Sequence, residues 1–166
     1  MQQSNYNWFL RVVNQQNPAA YARVMGSSEY PGLKGTVFFY QVPGGVLVVA
    51  DVTGLPYGSG SNTSSFYGFH IHEGKYCTGT TQDPFADSGG HYNPNNTRHP
   101  EHAGDLPPLL GNSGWAWTAF VTERFTVDDI LDHTVIIHRN PDDFTSQPSG
   151  NSGSKIACGE IHSYID

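Results

Sequence analysis

The sequence predicts an all-β domain, a sandwich or barrel of seven or eight short strands. Two observations carry that prediction. Runs of alternating, β-branched or aromatic residues recur at 20–24, 35–41, 46–53, 66–72, 115–121, 134–138 and 156–164, with turn signals between them. Composition agrees, because 19 Gly and 11 Pro make up roughly 18% of the 166 residues against an average near 12%, and only 14% are charged.

Along the chain, residues 1–18 carry no β pattern. Eight of them are Asn or Gln and Pro18 closes the segment, so they read as an arm, partly ordered at best, ahead of one domain over 19–166. In 20–24, Ala20, Ala22 and Val24 alternate with Tyr21 and Arg23. The runs 35–41 and 46–53 flank Gly44-Gly45, the residue pair a tight hairpin favours. The run 66–72 ends in the pattern His-Ile-His, 115–121 is rich in aromatic residues, and 134–138 is apolar up to His138. Between the last two, Thr126, Asp128 and Asp129 ahead of Ile130 and Leu131 predict one short helical turn at most. No internal repeat and no second composition zone divides the domain.

Charge excludes some classes of function. Eight Lys and Arg against 15 Asp and Glu give a net charge of −7, which disfavours nucleic acid and anionic membrane surfaces, both of which reward cationic patches. No apolar run approaches the roughly 20 residues of a membrane helix. Trp8, Phe9 and Leu10 are followed by Arg11, with no apolar segment of secretory length and no small-residue cleavage site. That points to a cytoplasmic protein, or to a periplasmic or secreted one from which a leader has been removed. The two cysteines, Cys77 and Cys158, are far apart and form no CxxC motif; they are either two buried thiols or one bridge.

Two stretches break the strand rhythm, 73–113 and 139–154. Structureless loops of this length in a compact domain are functional or pinned, and a metal and a disulfide are the obvious pins. The strand Gly68-Phe69-His70-Ile71-His72-Glu73 sends His70 and His72 from one face while Phe69 and Ile71 point to the core. Two imidazoles side by side make half a metal site, although HxH alone also describes a solvated strand face. The long loop adds His91, His99, His102 and Asp105, at spacings that suit a chain wrapped round one ion; three imidazoles and a carboxylate are a common tetrahedral set for zinc. His138, at a predicted strand end, is by itself an ordinary strand-end histidine.

Together these residues resemble the copper/zinc superoxide dismutase family over about 20–161. The likeness rests on GFHIHEG from Gly68, GGHYNP from Gly89, HAGDLP from His102, VIIH from Val135 and GNSGSKIACGEI from Gly150, in that order. The resemblance implies an eight-stranded Greek-key β-barrel, an immunoglobulin-like sandwich, with two long functional loops. It implies copper on His70, His72, His91 and His138, and zinc on His91, His99, His102 and Asp105, with His91 as the shared bridge. Asp142 would join the copper ligand His70 to the zinc ligand His99, and Cys77 and Cys158 would form the intrachain disulfide. The cofactors are then a copper ion and a zinc ion, the substrate is superoxide, and the products are dioxygen and hydrogen peroxide. His91 and Lys155 are the expected catalytic residues.

Several features depart from the family's pattern. Lys155 stands where most relatives have an arginine beside the copper, keeping the charge but losing the planar fork. Only two residues separate His99 from His102, and the 139–154 loop is short, as in bacterial members. A homodimer is admitted, but its geometry does not transfer. Two other readings compete: a copper- and zinc-binding relative with little or no dismutase activity, which the lysine favours, and a zinc hydrolase, which four zinc ligands leave without an open position. His133, His162 and Asp143 receive no role in the chemistry, the two histidines being expected as exposed or structural.

Overall fold

The computed structural model describes residues 5–58 and 65–164. The first four residues of the expected arm, residues 59–64 and the last two of the expected domain lie outside them. The elements are helix α1 (Asn5–Gln15), strands β1 (Ala20–Gly26), β2 (Lys34–Val42), β3 (Gly45–Thr53), β4 (Phe66–Tyr67), β5 (Phe69–His72), β6 (Leu109–Leu110) and β7 (Trp115–Thr122), helix α2 (Val127–Ile130), and strands β8 (Thr134–His138) and β9 (Lys155–Ser163). Seven strands form one curled antiparallel sheet in the order β5-β8-β9-β1-β2-β3-β7, and β4 pairs with β6. β4 and β5 are one predicted run broken at Gly68, so counting it once gives the eight strands the resemblance implies. Gly68 has no room for a side chain: a Cβ there would stand 2.9 Å from Ser152 Cβ and 3.2 Å from His138 Cβ. The crossovers give the Greek-key order. From β7, beside β3, the chain passes through α2 to β8 beside β5, and β9 returns between β8 and β1.

Alternation places Val37 and Phe39 of β2, Phe69 and Ile71 of β5 and Ile137 of β8 in the buried core. The short helical turn is present as α2, where the Asp129 carboxylate accepts from the Thr126 backbone N–H at 2.8 Å and hydroxyl at 2.7 Å. Among the described residues no helix is long and apolar enough to cross a membrane.

Helix α1 was not expected. Residues 5–15 fall within the predicted arm, yet Trp8, Phe9, Val12 and Val13 gather on one face and pack on Phe38, Tyr40, Val42, Leu47, Val49 and Ala119. Phe9 meets Trp117 edge-on with ring centroids 6.1 Å apart. The cause is tertiary: Phe38, Tyr40 and Val42 form the outward row of β2, an apolar stripe that needs cover. Covering it orders a segment whose Asn and Gln content gives weak helix propensity.

Candidate metal centre

The site is built at the free edge of β5. An edge strand presents unpaired backbone groups, and here the long loop takes them: Ile71 N–H donates to Gly104 O at 2.9 Å, Tyr92 N–H to Ile71 O at 2.8 Å, and Glu73 N–H to Gly90 O at 2.9 Å. Two stretches of loop are thereby laid along β5, bringing His91 opposite His72 and Asp105 opposite His70. On the other side, β8 pairs with β5, and His138 N–H donates to Gly68 O at 2.8 Å. His70, His72 and His138 therefore share one face. That outer face is largely covered, and all three residues are at most 4% exposed.

The donor atoms fall into two groups, each within 4.8 Å: His70, His72, His91 and His138 in one, and His91, His99, His102 and Asp105 in the other. His91 belongs to both. Its ring lies 3.9 Å from that of His70 and 5.7 Å from those of His99 and His102, centroid to centroid. Every ligand expected from the sequence is thus brought to its expected group.

Tautomers show that these groups suit cations. His72 Nδ1 lies 2.9 Å from Gly89 O and His138 Nδ1 lies 3.1 Å from Gly153 O; a carbonyl only accepts, so both nitrogens carry the proton. Burial holds both rings neutral, far below the ordinary value for His72 and down to about 3 for His138, with neighbouring imidazoles adding to the effect. Their Nε2 atoms then face each other at 3.2 Å as two bare lone pairs, an arrangement that a cation between them resolves. His70 Nε2 donates to Asp142 Oδ2 at 2.7 Å, leaving His70 Nδ1 buried without a partner; burial lowers this ring's affinity for a second proton more than the carboxylate raises it. His99 Nε2 donates to Asp142 Oδ1 at 2.9 Å, and Nδ1 of His99, Nδ1 of His102 and Nε2 of His91 also lack hydrogen-bond partners.

Asp105 faces the second group, 2.7 Å from His91 Nδ1, 3.1 Å from His99 Nδ1 and 3.3 Å from His102 Nδ1. Burial acts to raise its pKa, but the hydrogen bond with His91 and the surrounding imidazoles win and keep it ionised. Asp142 is likewise held down, to about 2, because bonds from His70, the Phe144 N–H and His99 outweigh its burial. Gly150 makes room for this carboxylate: its φ is +66°, and a Cβ would run into Asp142 and stand 2.7 Å from His99 Nε2.

Several supports escaped the sequence. Arg124 Nη1 donates to Pro100 O at 2.8 Å and His102 O at 3.0 Å, stapling the loop that bears His99 and His102. Asp143 accepts from the Ser146 and Thr145 N–H groups and from both hydroxyls, bonds that lower its pKa and close the turn after Asp142. His133 is structural, as expected, with Nδ1 donating to Glu73 O at 2.9 Å and its ring 4.5 Å from that of Tyr92; His162 is exposed. The carbonyls of Gly89 and Gly153 carry no residue-type signal, since any residue supplies one. Cys77 and Cys158 form a disulfide that ties the loop to β9, and Phe85 packs beside it on Ile136. Lys155 lines the open cleft over His72, His91 and His138, but its ammonium donates to Phe85 O at 3.0 Å and lies 3.6 Å from Asp83 Oδ2.

A family model for copper/zinc superoxide dismutase matches residues 33–161. This chain belongs to the copper/zinc superoxide dismutase family. Among the relatives, Superoxide dismutase [Cu-Zn] of Legionella pneumophila is 35% identical over 135 residues, 76% of this chain and 76% of the relative. The protein of that name from Brucella abortus is 31% identical over 141 residues, covering 76% of this chain and 78% of the relative. The solved Cu/Zn superoxide dismutase from Brucella abortus superposes with a TM-score of 0.69 at 28% identity, over 85% of this chain and 98% of the other. Copper and zinc are the metals of the family, and the two groups sharing His91 fit them.

Proposed function

We propose that this chain is a superoxide dismutase with copper held by His70, His72, His91 and His138 and zinc held by His91, His99, His102 and Asp105. The observation that carries the assignment is the single buried ring, His91, whose two nitrogens serve two donor groups at once. Two superoxide ions and two protons give dioxygen and hydrogen peroxide, so one substrate loses the electron that the other gains. Copper supplies that electron traffic when bound, and zinc has no accessible redox change. The chain's own part is to hold ligands and protons. His91 Nε2 is the atom that holds a proton and passes it to the outgoing peroxide. Asp142 fixes the tautomers of His70 and His99 together. Lys155 sits at the cleft, where its charge is shared with Asp83, and ties its own segment to the disulfide loop.

His91→Ala tests the reading. Activity should vanish and both metals should bind more weakly, whereas the exposed His162→Ala should keep both. His162 is the better control than His133, whose ring and Nδ1 buttress Tyr92 and Glu73. Unchanged activity in the His91 variant rejects the assignment. A metal-binding relative without dismutase activity is the second reading, favoured by a lysine whose charge is shared with Asp83. Full metal content without superoxide-dependent turnover decides for it.

A further inference from the structure

The cleft over the copper-side rings has a volume of about 770 Å³, and besides histidines its charged lining residues are Glu73, Asp83, Arg98 and Lys155. Two of these offset each other. Lys155 and Asp83 lie 3.6 Å apart, so an approaching anion meets a dipole there more than a positive charge. Of the other two, Glu73 is anionic and accepts from Gly90 N–H at 3.4 Å, while the exposed Arg98 guanidinium has no partner among the described residues. Without Arg98 the mouth would be net negative on a protein of net charge −7.

The backbone around Arg98 is firmly held. On one side the Asn93 amide donates to Thr97 O at 2.9 Å and accepts from Thr97 N–H at 3.0 Å. On the other, Gln147 accepts from His99 N–H at 3.1 Å and donates to His99 O at 2.7 Å. The side chain therefore starts from a fixed point beside the centre with its charge uncommitted.

We propose that Arg98 is the anion-guiding residue of this cleft, drawing in superoxide and other small inorganic anions, while Lys155 is chiefly a tether between β9 and the disulfide loop. The assignment of superoxide rests on the function proposed above; the attraction of small anions does not. A cleft charge raises the local concentration of an oppositely charged ligand and its association rate, and the effect fades as salt screens it.

The test uses full-length protein loaded with copper and zinc, as wild type, Arg98→Gln, Arg98→Glu, Arg98→Lys and Lys155→Met. Superoxide decay is followed by pulse radiolysis, and azide binding by the visible absorption of copper, at about 0.01 M and about 1 M ionic strength, where the screening length falls from about 30 Å to about 3 Å. Arg98→Gln should lower the rate constant and azide affinity severalfold at low salt, and Arg98→Glu roughly tenfold or more. Both gaps should close at high salt, Arg98→Lys should restore both quantities, and metal content should stay constant. Lys155→Met should change the salt slope less than Arg98→Gln. Wild-type rate, slope and azide affinity in Arg98→Gln overturn the proposal, as does a deficit that persists at high salt. If the loaded wild type is inactive, the dismutase reading fails and azide binding alone decides the role of Arg98.

Discussion

Asp142 shows how much of the centre depends on one carboxylate. Its two oxygens accept from His70 and His99, one ring in each donor group, so a single side chain sets which nitrogen each ring leaves free for its group. Asparagine matches the shape but can accept at only one of the two positions, and its NH2 meets an imidazole N–H at the other. Asp142→Asn should therefore weaken zinc and copper retention by roughly 10- to 100-fold, with activity falling as metal is lost. Chelator competition with both metals quantified checks this; unaltered retention would remove Asp142 from the linking role. The candidate ligands were legible in the sequence because all but His99 sit in short motifs, and His99 joins them by its spacing in the long loop. Arg124 was not, since it lies in a different segment from the carbonyls it binds and no local pattern announces a donor to backbone oxygen. Gly150 opens the motif GNSGSKIACGEI, but its reason is spatial: the Asp142 carboxylate and His99 fill the space a side chain would need.

Among the elements, the strands followed from alternation where the two faces differ in burial, as along β1, whereas β8 is buried at all five positions and was legible as a short apolar run, 134–138 matching Thr134–His138 end to end. The long loop was recognisable as a loop but its path was not, since that path is set by β5's unpaired edge. Helix α1 was hidden for a related reason. Its apolar residues Trp8, Phe9, Val12 and Val13 recur at helical spacing, yet amid Asn and Gln they gain stability only from the stripe beneath them. If so, α1 docks as an appendage that the metal centre does not require. Val12, 3% exposed, lies at the middle of that contact. Val12→Asp should lose the roughly 1.5–3 kcal/mol of a buried valine and add the cost of an unpaired charge. Helix 5–15 should then exchange its amide hydrogens freely, with metal content and turnover unchanged. Retained amide protection would show that the packing on Tyr40, Val42 and Leu47 does not hold the helix.

For the molecule as a whole, the buried histidines couple stability to acidity. In the metal-free protein burial lowers the pKa of His70, His72, His102 and His138, the last to about 3, while in the unfolded chain each titrates near the ordinary 6.5. Below pH 6.5 the unfolded chain thus binds protons that the folded one refuses, so stability falls as pH falls from about 6.5 toward 3. Asp142, depressed to about 2, adds a second loss between its ordinary 3.8 and 2. Denaturant midpoints of metal-free protein should be lower at pH 5 than at pH 7.5; an equal or higher midpoint at pH 5 contradicts the direction of these shifts.

The position of β9 also bears on when the centre can form. It is the last strand among the described residues, yet it lies inside the sheet, pairing with β8 on one side and β1 on the other. During synthesis from the N-terminus, β8 is made before β9 and must wait with an unpaired flank, and β1 waits far longer. The flank of β8 beside His138 and the half of the disulfide at Cys158 are then secured only once β9 has been made. A message cut short before Lys155 therefore yields a product with two open strand edges, disposed to aggregate rather than to hold ions.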